Sequence, residues 1–400
     1  MSTIARESVL ETNIARSMEG PRIAVASSGL GHVARGVETW ALDLGTALNR
    51  AGHNVTVFQG SGESTDSWRH ALNCKRRWDP DTERWARRFA RIGGWRLGLA
   101  SGYDLEQTTF AMKLWPRIRS DYDILHVQDP WLALVMERLH RMKLSRPRVV
   151  LAHGTEEPAG FLRKFSNLQH LAPSYLNDWA SVQPRRQKVF AIGNFVDIET
   201  FSPGDRAGAR REFGLPADDL IVLCVAAIKK THKRVDYLLR EFAVFAERYA
   251  RGTTLVVAGA REPETEGVIA LGREILGDRV RFLEGIGRER MPSLYRTADL
   301  FALASIHEMM PIALLEALAS GLPIACNRTP TLQWMVGPEI PLADISHPGA
   351  LADQLTFMAN PERMSALSLA ARRHAETTFS EPVVVKQVLE MYSHVLDGNR

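Results

Sequence analysis

The hydrophobic positions of this chain fall into short continuous runs separated by longer amphipathic stretches. Apolar runs occupy residues 22–28, 54–60, 122–128 and 148–154, and they are rich in Val, Ile, Leu and Ala. Such runs predict buried parallel strands, because both faces of a parallel sheet are covered. Between the first two runs, residues 36–52 have the spacing of an amphipathic helix and end at a glycine.

A second series of the same kind begins at residue 221. Strands are predicted at 221–227, 253–259 and 280–285, with a helix at 235–249. A polar connection containing Pro and Gly, residues 192–216, separates the two series. A chain of 400 residues is too long to fold around one compact core. The pattern therefore predicts an α/β protein of two consecutive Rossmann-like, doubly wound domains that face each other across a cleft.

The domain boundaries follow from this division. We expect an N-terminal tail at 1–20, a first domain at 21–195 and a second domain at 196–375. A C-terminal helix within 376–400 is expected to pack back toward the first domain.

Two glutamates stand out in the segment "ALASIHEMMPIALLEALASGLPIACN", residues 302–327. The segment predicts a strand, a helix that starts near Pro311 and ends at Gly321, and a second strand. Glu308 then follows the first strand, and Glu316 lies inside the helix among Leu and Ala. Ligands bind at the carboxyl ends of strands in open α/β sheets, so both carboxylates are candidates to accept hydrogen bonds from sugar or ribose hydroxyls. The structural alternative is that Glu308 caps the helix and Glu316 pairs with a surface lysine.

Two loops could hold phosphate. The basic run "KKTHKR", residues 229–234, follows a predicted strand and precedes a helix, so its cations should lie at the ligand end of the sheet. The loop "SSGLGHVARG", residues 27–36, also joins a strand to a helix, and its glycines allow close backbone approach. The alternatives are a solvated basic turn and a simple tight turn.

The amino-acid composition is that of a globular protein without disulfide bonds or membrane-spanning segments. Apolar residues make up 45% and charged residues 24% of the chain, as in an ordinary globular protein. Cys74, Cys224 and Cys326 are far apart, without the spacing of a disulfide framework or a zinc site, which suits a reducing cytoplasm. No apolar run reaches 18 residues, and the first 20 residues lack the apolar stretch of a signal peptide. We therefore expect a cytoplasmic protein.

Five segments, which follow one another along the chain in the family's order, resemble segments of the retaining glycosyltransferases of family 4, which have the GT-B fold. "HEMMPIALLEALASGLPIA" is similar to the family's E-x7-E region, and "MPSLYRTADLFALAS" to the approach to it. "GLGHVARGVETWALDLGTALNRAGHNVTVF" resembles its first loop and helix. "FAIGNFVDIETFSP" resembles its interdomain segment, with Phe195 in place of a glycine, and "VAAIKKTHKRVDYLL" its phosphate-binding strand and loop.

The resemblance implies roles for residues of the second, donor-binding domain. Glu316 would hold the ribose, and Glu308 the hydroxyls of the donor sugar. Lys233 matches the family's lysine beside the diphosphate. The family's arginine would fall near Ala227 and is absent. The remaining donor-site candidates are two lysines that could replace this arginine and three residues whose backbone would face the sugar and phosphate: Lys229, Lys230, Met309, Met310 and Pro311. The two methionines stand where the family commonly has Gly-Phe and would make the sugar subsite bulkier.

The resemblance also implies roles in the first, acceptor-binding domain. Its glycines, Gly29, Gly31 and Gly36, would close over the donor phosphates, and Arg35 would contact phosphate or acceptor. His153 matches the family's histidine that faces the sugar, or is structural. His126 is expected to shape the acceptor side.

By this resemblance the chain is a retaining hexosyltransferase that needs neither metal nor cofactor. It would move a sugar from a nucleoside-diphosphate sugar to a glycan or lipid-linked acceptor in envelope or exopolysaccharide assembly. The alternative is a non-catalytic GT-B scaffold or nucleotide-sugar-binding module. Glycosidase chemistry is disfavoured, because its two carboxylates must flank the scissile bond, whereas Glu308 and Glu316 belong to one strand–helix unit.

A basic, tryptophan-rich segment at 68–96 holds nine Lys or Arg, three Asp or Glu and four of the nine tryptophans. At helical spacing Trp85, Phe89 and Ile92 share one face, with arginines on the others: Arg84, Arg87, Arg88 and Arg91. This composition is typical of a helix on an anionic membrane surface, so the protein could be peripheral on the inner face of the membrane. The alternative is a helix packed on its own domain by those aromatics. No nucleic-acid module accompanies the segment, and no nucleic-acid partner is expected.

Overall fold

The computed structural model describes residues 20–33, 36–64, 66–155 and 157–397. The chain divides into two compact units. The first comprises the residues up to Ile192 together with the segment from Val385 onward, and the second runs from Gly193 to Val384.

The first unit is built on a parallel sheet of seven strands. Its strands are β1 Ile23–Ser27, β2 Val55–Gln59, β3 Arg69–Ala71, β4 Ile124–Val127, β5 Arg148–His153, β6 Asn167–His170 and β7 Lys188–Ala191. Their order across the sheet is β3-β2-β1-β4-β5-β6-β7. The four apolar runs form β1, β2, β4 and β5, as predicted, and these strands are almost entirely buried. β3, β6 and β7 were not predicted.

Helices cover this sheet. They are α1 Gly36–Arg50, α2 Pro80–Ala90, α3 Gly102–Ile118, α4 Pro130–Arg141, α5 Ala159–Leu162 and α6 Ser174–Ala180, with a 3-10 turn at Gly94–Leu97. Phe110 and Leu114 of α3 and Leu132 of α4 are fully buried and share one core with Leu125 of β4.

The second unit has a parallel sheet of five strands. Its strands are β8 Leu220–Val225, β9 Thr253–Gly259, β10 Val280–Glu284, β11 Leu300–Leu303 and β12 Ile324–Cys326. Their order is β10-β9-β8-β11-β12. β8 and β11 are continuous apolar strands because helices cover both faces.

The helices of the second unit alternate with its strands. They are α7 Arg206–Glu212, α8 Val235–Arg248, α9 Thr265–Leu276, α10 Met291–Arg296, α11 Ile312–Ala319, α12 Pro330–Val336, α13 Ala350–Met358 and α14 Pro361–His374. Short 3-10 turns lie at Gly277–Arg279 and Arg288–Arg290, and a π-helical turn at Ala375–Phe379. Gly321 follows α11 with φ of +72°, the left-handed conformation predicted for it.

The last helix, α15 Glu381–Leu396, begins in the second unit and ends in the first. Within the first unit, the Tyr392 hydroxyl lies 2.8 Å from Nδ1 of His126. The side chains of Arg148 and Lys188 donate to backbone carbonyls in the last turns of α15. The predicted boundary after residue 195 lies three residues beyond the division after Ile192, and the predicted boundary after 375 lies nine residues before the end of the second unit at Val384.

Candidate functional site

The predicted donor residues lie around one edge of the second sheet. Its strand order reverses between β8 and β11, which are hydrogen-bonded neighbours. The basic loop 229–234 follows β8, and Glu308 follows β11. A reversal of strand order opens a crevice at the carboxyl ends of the two strands, where open α/β sheets bind ligands.

Lys233 and Glu308 meet in this crevice. The Lys233 ammonium forms an ion pair with Glu308 Oε1, and both side chains are mostly buried. Cys224 of β8 lies close to both, and burial raises the pKa of its thiol to about 12. Glu308 therefore does not cap α11, whose N-cap residue is Pro311.

Glu316 sits in α11 as a buried carboxylate. The Tyr295 hydroxyl, itself buried, donates to Glu316 Oε2 at 2.7 Å and lies 3.1 Å from the carbonyl oxygen of Ala313. Burial, and then the Glu316 charge, raise the pKa of Tyr295 well above its ordinary value. A tyrosine hydroxyl thus orients this carboxylate.

The basic loop is fixed by a carboxylate from the next strand–helix connection. Glu264 accepts hydrogen bonds from the backbone N–H groups of Lys230 and Thr231, at 2.6 and 3.0 Å, and from the Thr231 hydroxyl at 2.6 Å. Lys229 is half-buried and Lys230 exposed. Arg234 lies with its guanidinium 4.0 Å from the centre of the Tyr237 ring. Hydrogen bonds to Glu264 therefore hold this loop in one conformation.

The methionines of the loop 309–311 have different environments. Met310 is buried, and its sulfur accepts a hydrogen bond from the Asn194 N–H at 3.0 Å. A Cβ on Gly193 would lie 2.7 Å from the Met310 methyl carbon. Met309 and Pro311 are half-buried. The Met310 side chain thus packs on Gly193 and Asn194.

The glycine-containing loop follows β1, at the strand-order reversal of the first sheet. A Cβ on Gly29 would lie 2.1 Å from Glu38 Oε1. Gly31 has φ of +96°, and a Cβ there would lie 1.9 Å from the Ser61 carbonyl oxygen. The backbone contact therefore requires glycine at Gly31, whereas the atoms that a Cβ at Gly29 would meet belong to side chains. Gly36 is the first residue of α1. Arg35 lies outside the described residues.

A buried charged cluster at the same reversal was missed by sequence reasoning. Glu106 of α3 accepts hydrogen bonds from Arg77 at 2.5 and 3.0 Å and bonds His32 at 2.8 Å. Asp129 accepts from the Ser28 N–H at 2.9 Å. Although burial opposes it, hydrogen bonds from His32 and Arg77 lower the pKa of Glu106, whereas burial raises that of Asp129. The only signal in the sequence was a glutamate flanked by Leu and Gln in an amphipathic helix.

The two candidate histidines of the first unit lie at different positions in the sheet. His126 is fully buried in the middle of the sheet between Val25 and Val150, with Tyr392 as its hydrogen-bond partner. Burial lowers its pKa to about 3. The structure therefore gives His126 a role in docking α15 and corrects its expected place on the acceptor side. His153 is the last residue of β5, at the ligand end of the sheet.

The basic segment presents its aromatic side chains to solvent. Trp85 is 44% exposed, Trp95 62% and Ile92 76%, and Trp85 stacks on the partly buried Phe89. The buried residues of α2 are Thr82 and Ala86, so Trp85 and Ile92 do not pack the helix on its own domain. The helix ends at Ala90 and does not include Ile92. The predicted basic residues of the segment are all exposed: Arg84, Arg87, Arg88 and Arg91.

Two further observations concern the described part of the chain. No helix there combines the length and apolar character needed to cross a bilayer. No group of three or more His, Cys, Asp or Glu side chains there is placed to hold a metal ion.

An open depression of about 790 Å³ lies beside β2 and β3 and is lined by Asp66, Arg69 and Arg117 among others. None of the predicted site residues that the structure describes lines this depression.

Two family models match the chain. Residues 34–222 match "Glycosyltransferase Family 4", and residues 205–374 match "Glycosyl transferases group 1". Together the matches run through both units. Lys233, Glu308 and Glu316 lie within the second match, and His153 within the first.

Curated relatives carry one recurrent name. The D-inositol 3-phosphate glycosyltransferase of Mycolicibacterium smegmatis is 32% identical over 54% of this chain and 49% of its own length. That of Mycolicibacterium gilvum is 28% identical over 70% of this chain and 67% of its own length. The chain spans about half the length of most of the curated relatives it matches.

Solved structures share the fold. Sucrose-phosphate synthase from Thermosynechococcus elongatus superposes with a TM-score of 0.74 at 19% identity, over 94% of this chain and 99% of that one. The Anabaena protein HepE, in complex with UDP-glucose, superposes with a TM-score of 0.71 at 14% identity, over 94% and 100% of the two chains.

Proposed function

Because the chain belongs to the group 1 glycosyltransferases of the GT-B fold, we propose that it transfers a sugar, with retention, from a nucleoside-diphosphate sugar to a hydroxyl acceptor. The observation that carries this proposal is the Lys233–Glu308 ion pair, on the same sheet edge as the helix that holds buried Glu316. A cation and two buried carboxylates match the diphosphate and the two hydroxyl-rich parts of such a donor.

The two carboxylates divide the hydroxyl groups between them. Glu316 binds the ribose hydroxyls, and the hydrogen bond from Tyr295 holds its carboxylate in one orientation. Glu308 accepts hydrogen bonds from hydroxyls of the donor sugar. Hydrogen bonds to ionised carboxylates are about twice as strong as neutral ones, which suits the anchoring of a flexible ligand.

Lys233 exchanges partners when the donor binds. A diphosphate carries more negative charge than the single carboxylate of Glu308, so the ammonium moves to the phosphates and leaves Glu308 to the sugar. The cation then stabilises the charge that grows on the leaving diphosphate. Lys229 or Lys230 supplies the second positive charge. The acceptor attacks from the side that the diphosphate leaves, the β-phosphate takes the acceptor proton, and no metal ion is needed.

The donor site is tested by binding. A panel of nucleotide-sugars is screened by thermal shift, and the affinity of the matching nucleoside diphosphate is measured by calorimetry. Glu316→Gln should weaken nucleotide binding by roughly 1.5–3 kcal/mol, because it removes a charged acceptor. Tyr295→Phe keeps the carboxylate and should weaken binding less. Unchanged affinity in folded Glu316→Gln would assign this residue to structure alone.

Turnover distinguishes an enzyme from a binding module. The stabilising nucleotide-sugar is assayed for hydrolysis and for transfer, with Lys233→Ala expected to lose turnover more than nucleotide affinity. Donor binding without hydrolysis or transfer by the wild type would favour the alternative, a nucleotide-sugar-binding module that keeps the fold without catalysis.

For the acceptor we propose a lipid-linked sugar or glycolipid, used in envelope or exopolysaccharide assembly by a peripheral protein at the cytoplasmic face of the membrane. The exposed Trp85, Trp95 and Ile92 beside exposed arginines support this choice. A soluble acceptor is the competing choice, since the curated relatives are named for D-inositol 3-phosphate. Parallel transfer assays with both acceptors decide between them.

A further inference from the structure

Two histidines meet at the carboxyl end of the first sheet. His153 ends β5 and His170 ends β6, and the two residues are direct neighbours across the parallel strand pair. Their Nδ1 atoms lie 3.3 Å apart, and the rings meet edge to face with centroids 5.4 Å apart. The imidazoles therefore share one hydrogen bond through their Nδ1 atoms.

This bond restricts the protonation of both rings. A neutral imidazole carries one proton, and a hydrogen bond between two Nδ1 atoms needs a proton on one and a lone pair on the other. Burial lowers the pKa of each histidine to about 4, so both rings are neutral near pH 7. The two rings must then be opposite tautomers, one with a bare Nε2 and the other with an Nε2–H.

The surroundings hold the pair in place but leave both Nε2 atoms unsatisfied. The Tyr175 ring stacks on His170 with centroids 5.9 Å apart, and Trp179 meets it edge-on at 5.5 Å. His153 is 7% and His170 2% exposed. Among the described residues, neither Nε2 has a hydrogen-bond partner. Leaving buried polar atoms unpaired is costly, and two such atoms at the ligand end of a sheet point to a polar ligand.

We propose that His170 is a positioning residue that fixes the tautomer of His153, and that the pair offers one donor and one acceptor to hydroxyl groups of a polyol ligand. A hydroxyl satisfies either Nε2, because it both donates and accepts, whereas a phosphate or carboxylate oxygen cannot satisfy the bare one. This inference deepens the proposed function and rests on it for the identity of the ligand; the family resemblance implies that His153 faces the donor sugar.

Tautomers are tested by NMR, independently of activity. The full chain is labelled with 15N-histidine, and long-range 1H–15N spectra at neutral pH distinguish Nδ1–H from Nε2–H rings. His153→Asn and His170→Asn assign the two rings by the signals they remove. We expect one of the two rings to be Nδ1–H and the other Nε2–H. Finding both rings as Nε2–H would overturn the proposal, even if the protein proves not to be a glycosyltransferase.

Turnover tests the positioning role. His170→Asn places an amide near the position of Nδ1 but removes Nε2, so it should hold the His153 ring in one tautomer and lower kcat less than His170→Phe does. His170→Phe removes both nitrogens and should lower kcat about tenfold or more with nucleotide affinity unchanged. The His153 tautomer should become mixed in His170→Phe. Wild-type kcat and an unchanged tautomer in folded His170→Phe would overturn the proposal. If His170→Phe does not fold, a mixed His153 tautomer in folded His170→Asn would overturn the proposal instead.

Discussion

The basic aromatic segment allows a quantitative test of membrane binding. We consider the variant Arg87→Gln/Arg88→Gln/Arg91→Gln. No described carboxylate lies within ion-pair distance of these three arginines, whereas Arg84 pairs with Asp81 at 3.2 Å and would contribute less. Each exposed basic residue near an anionic bilayer contributes about 1 kcal/mol, so the three together contribute about 3 kcal/mol. Their loss should weaken binding to anionic vesicles roughly 100-fold.

The assay is sedimentation with vesicles of phosphatidylcholine and an anionic lipid. A matched control removes three other exposed arginines of the same unit, Arg163, Arg185 and Arg186, for the same change in net charge. The control should bind much like the wild type, because its charges lie outside the aromatic segment. Wild-type binding should also fall steeply between about 0.01 and 0.15 M salt, as the screening length drops from about 30 to 8 Å.

Two outcomes would refute this reasoning. If the wild type ignores anionic vesicles at low salt, the exposed tryptophans serve some other contact, and the acceptor should be sought among soluble molecules. If both triple variants lose binding equally, attraction depends on net charge and not on this segment.

Two predictions concern stability. The pKa values of His153 and His170 are about 4 in the folded chain against an ordinary 6.5, so the unfolded chain binds more protons between these values. The free energy of unfolding should therefore fall by roughly 3 kcal/mol or more as the pH drops from about 6.5 to about 4. In the double variant His153→Asn/His170→Asn, the melting temperature should depend less steeply on pH in this range. An equally steep dependence in the variant and the wild type would contradict this. Gly31→Ala should destabilise more than Gly52→Ala, where φ is also positive, +80°, but no atom lies within 4 Å of an added Cβ. The latter should cost only the roughly 1–2 kcal/mol of a left-handed residue, and equal melting temperatures would contradict the clash with Ser61.

The hydrophobic pattern of the sequence predicted those strands that are both buried and made mostly of apolar residues, such as β1, β4, β8 and β11. It failed for β6, Asn167–His170, which is buried but mostly polar. Asn167 and Gln169 can lie inside the sheet because each donates to a backbone carbonyl, those of Val149 and Ile192. Such a strand shows no apolar run in the sequence, because its buried polar side chains are satisfied by hydrogen bonds across the sheet.

The candidate site was predictable only as far as local sequence determines it. Glu316 stood out as a carboxylate among Leu and Ala, but its partner Tyr295, 21 residues earlier, did not. Lys233 and Glu308 were each assigned from their own loops, and their direct contact depends on the pairing of β8 with β11. The link between His153 and His170 likewise depends on neighbouring strands, which no single segment encodes.

The return of α15 to the first unit also affects the order in which a growing chain can fold. Residues Gly193–Val384 form the second unit from one continuous stretch, which can be completed while synthesis continues. The first unit needs Tyr392, which pairs with His126 from 266 residues earlier in the chain. Until that tyrosine has left the ribosome, the buried imidazole lacks its partner and the sheet lacks part of its cover. The unit that is translated first is therefore the one that is completed last.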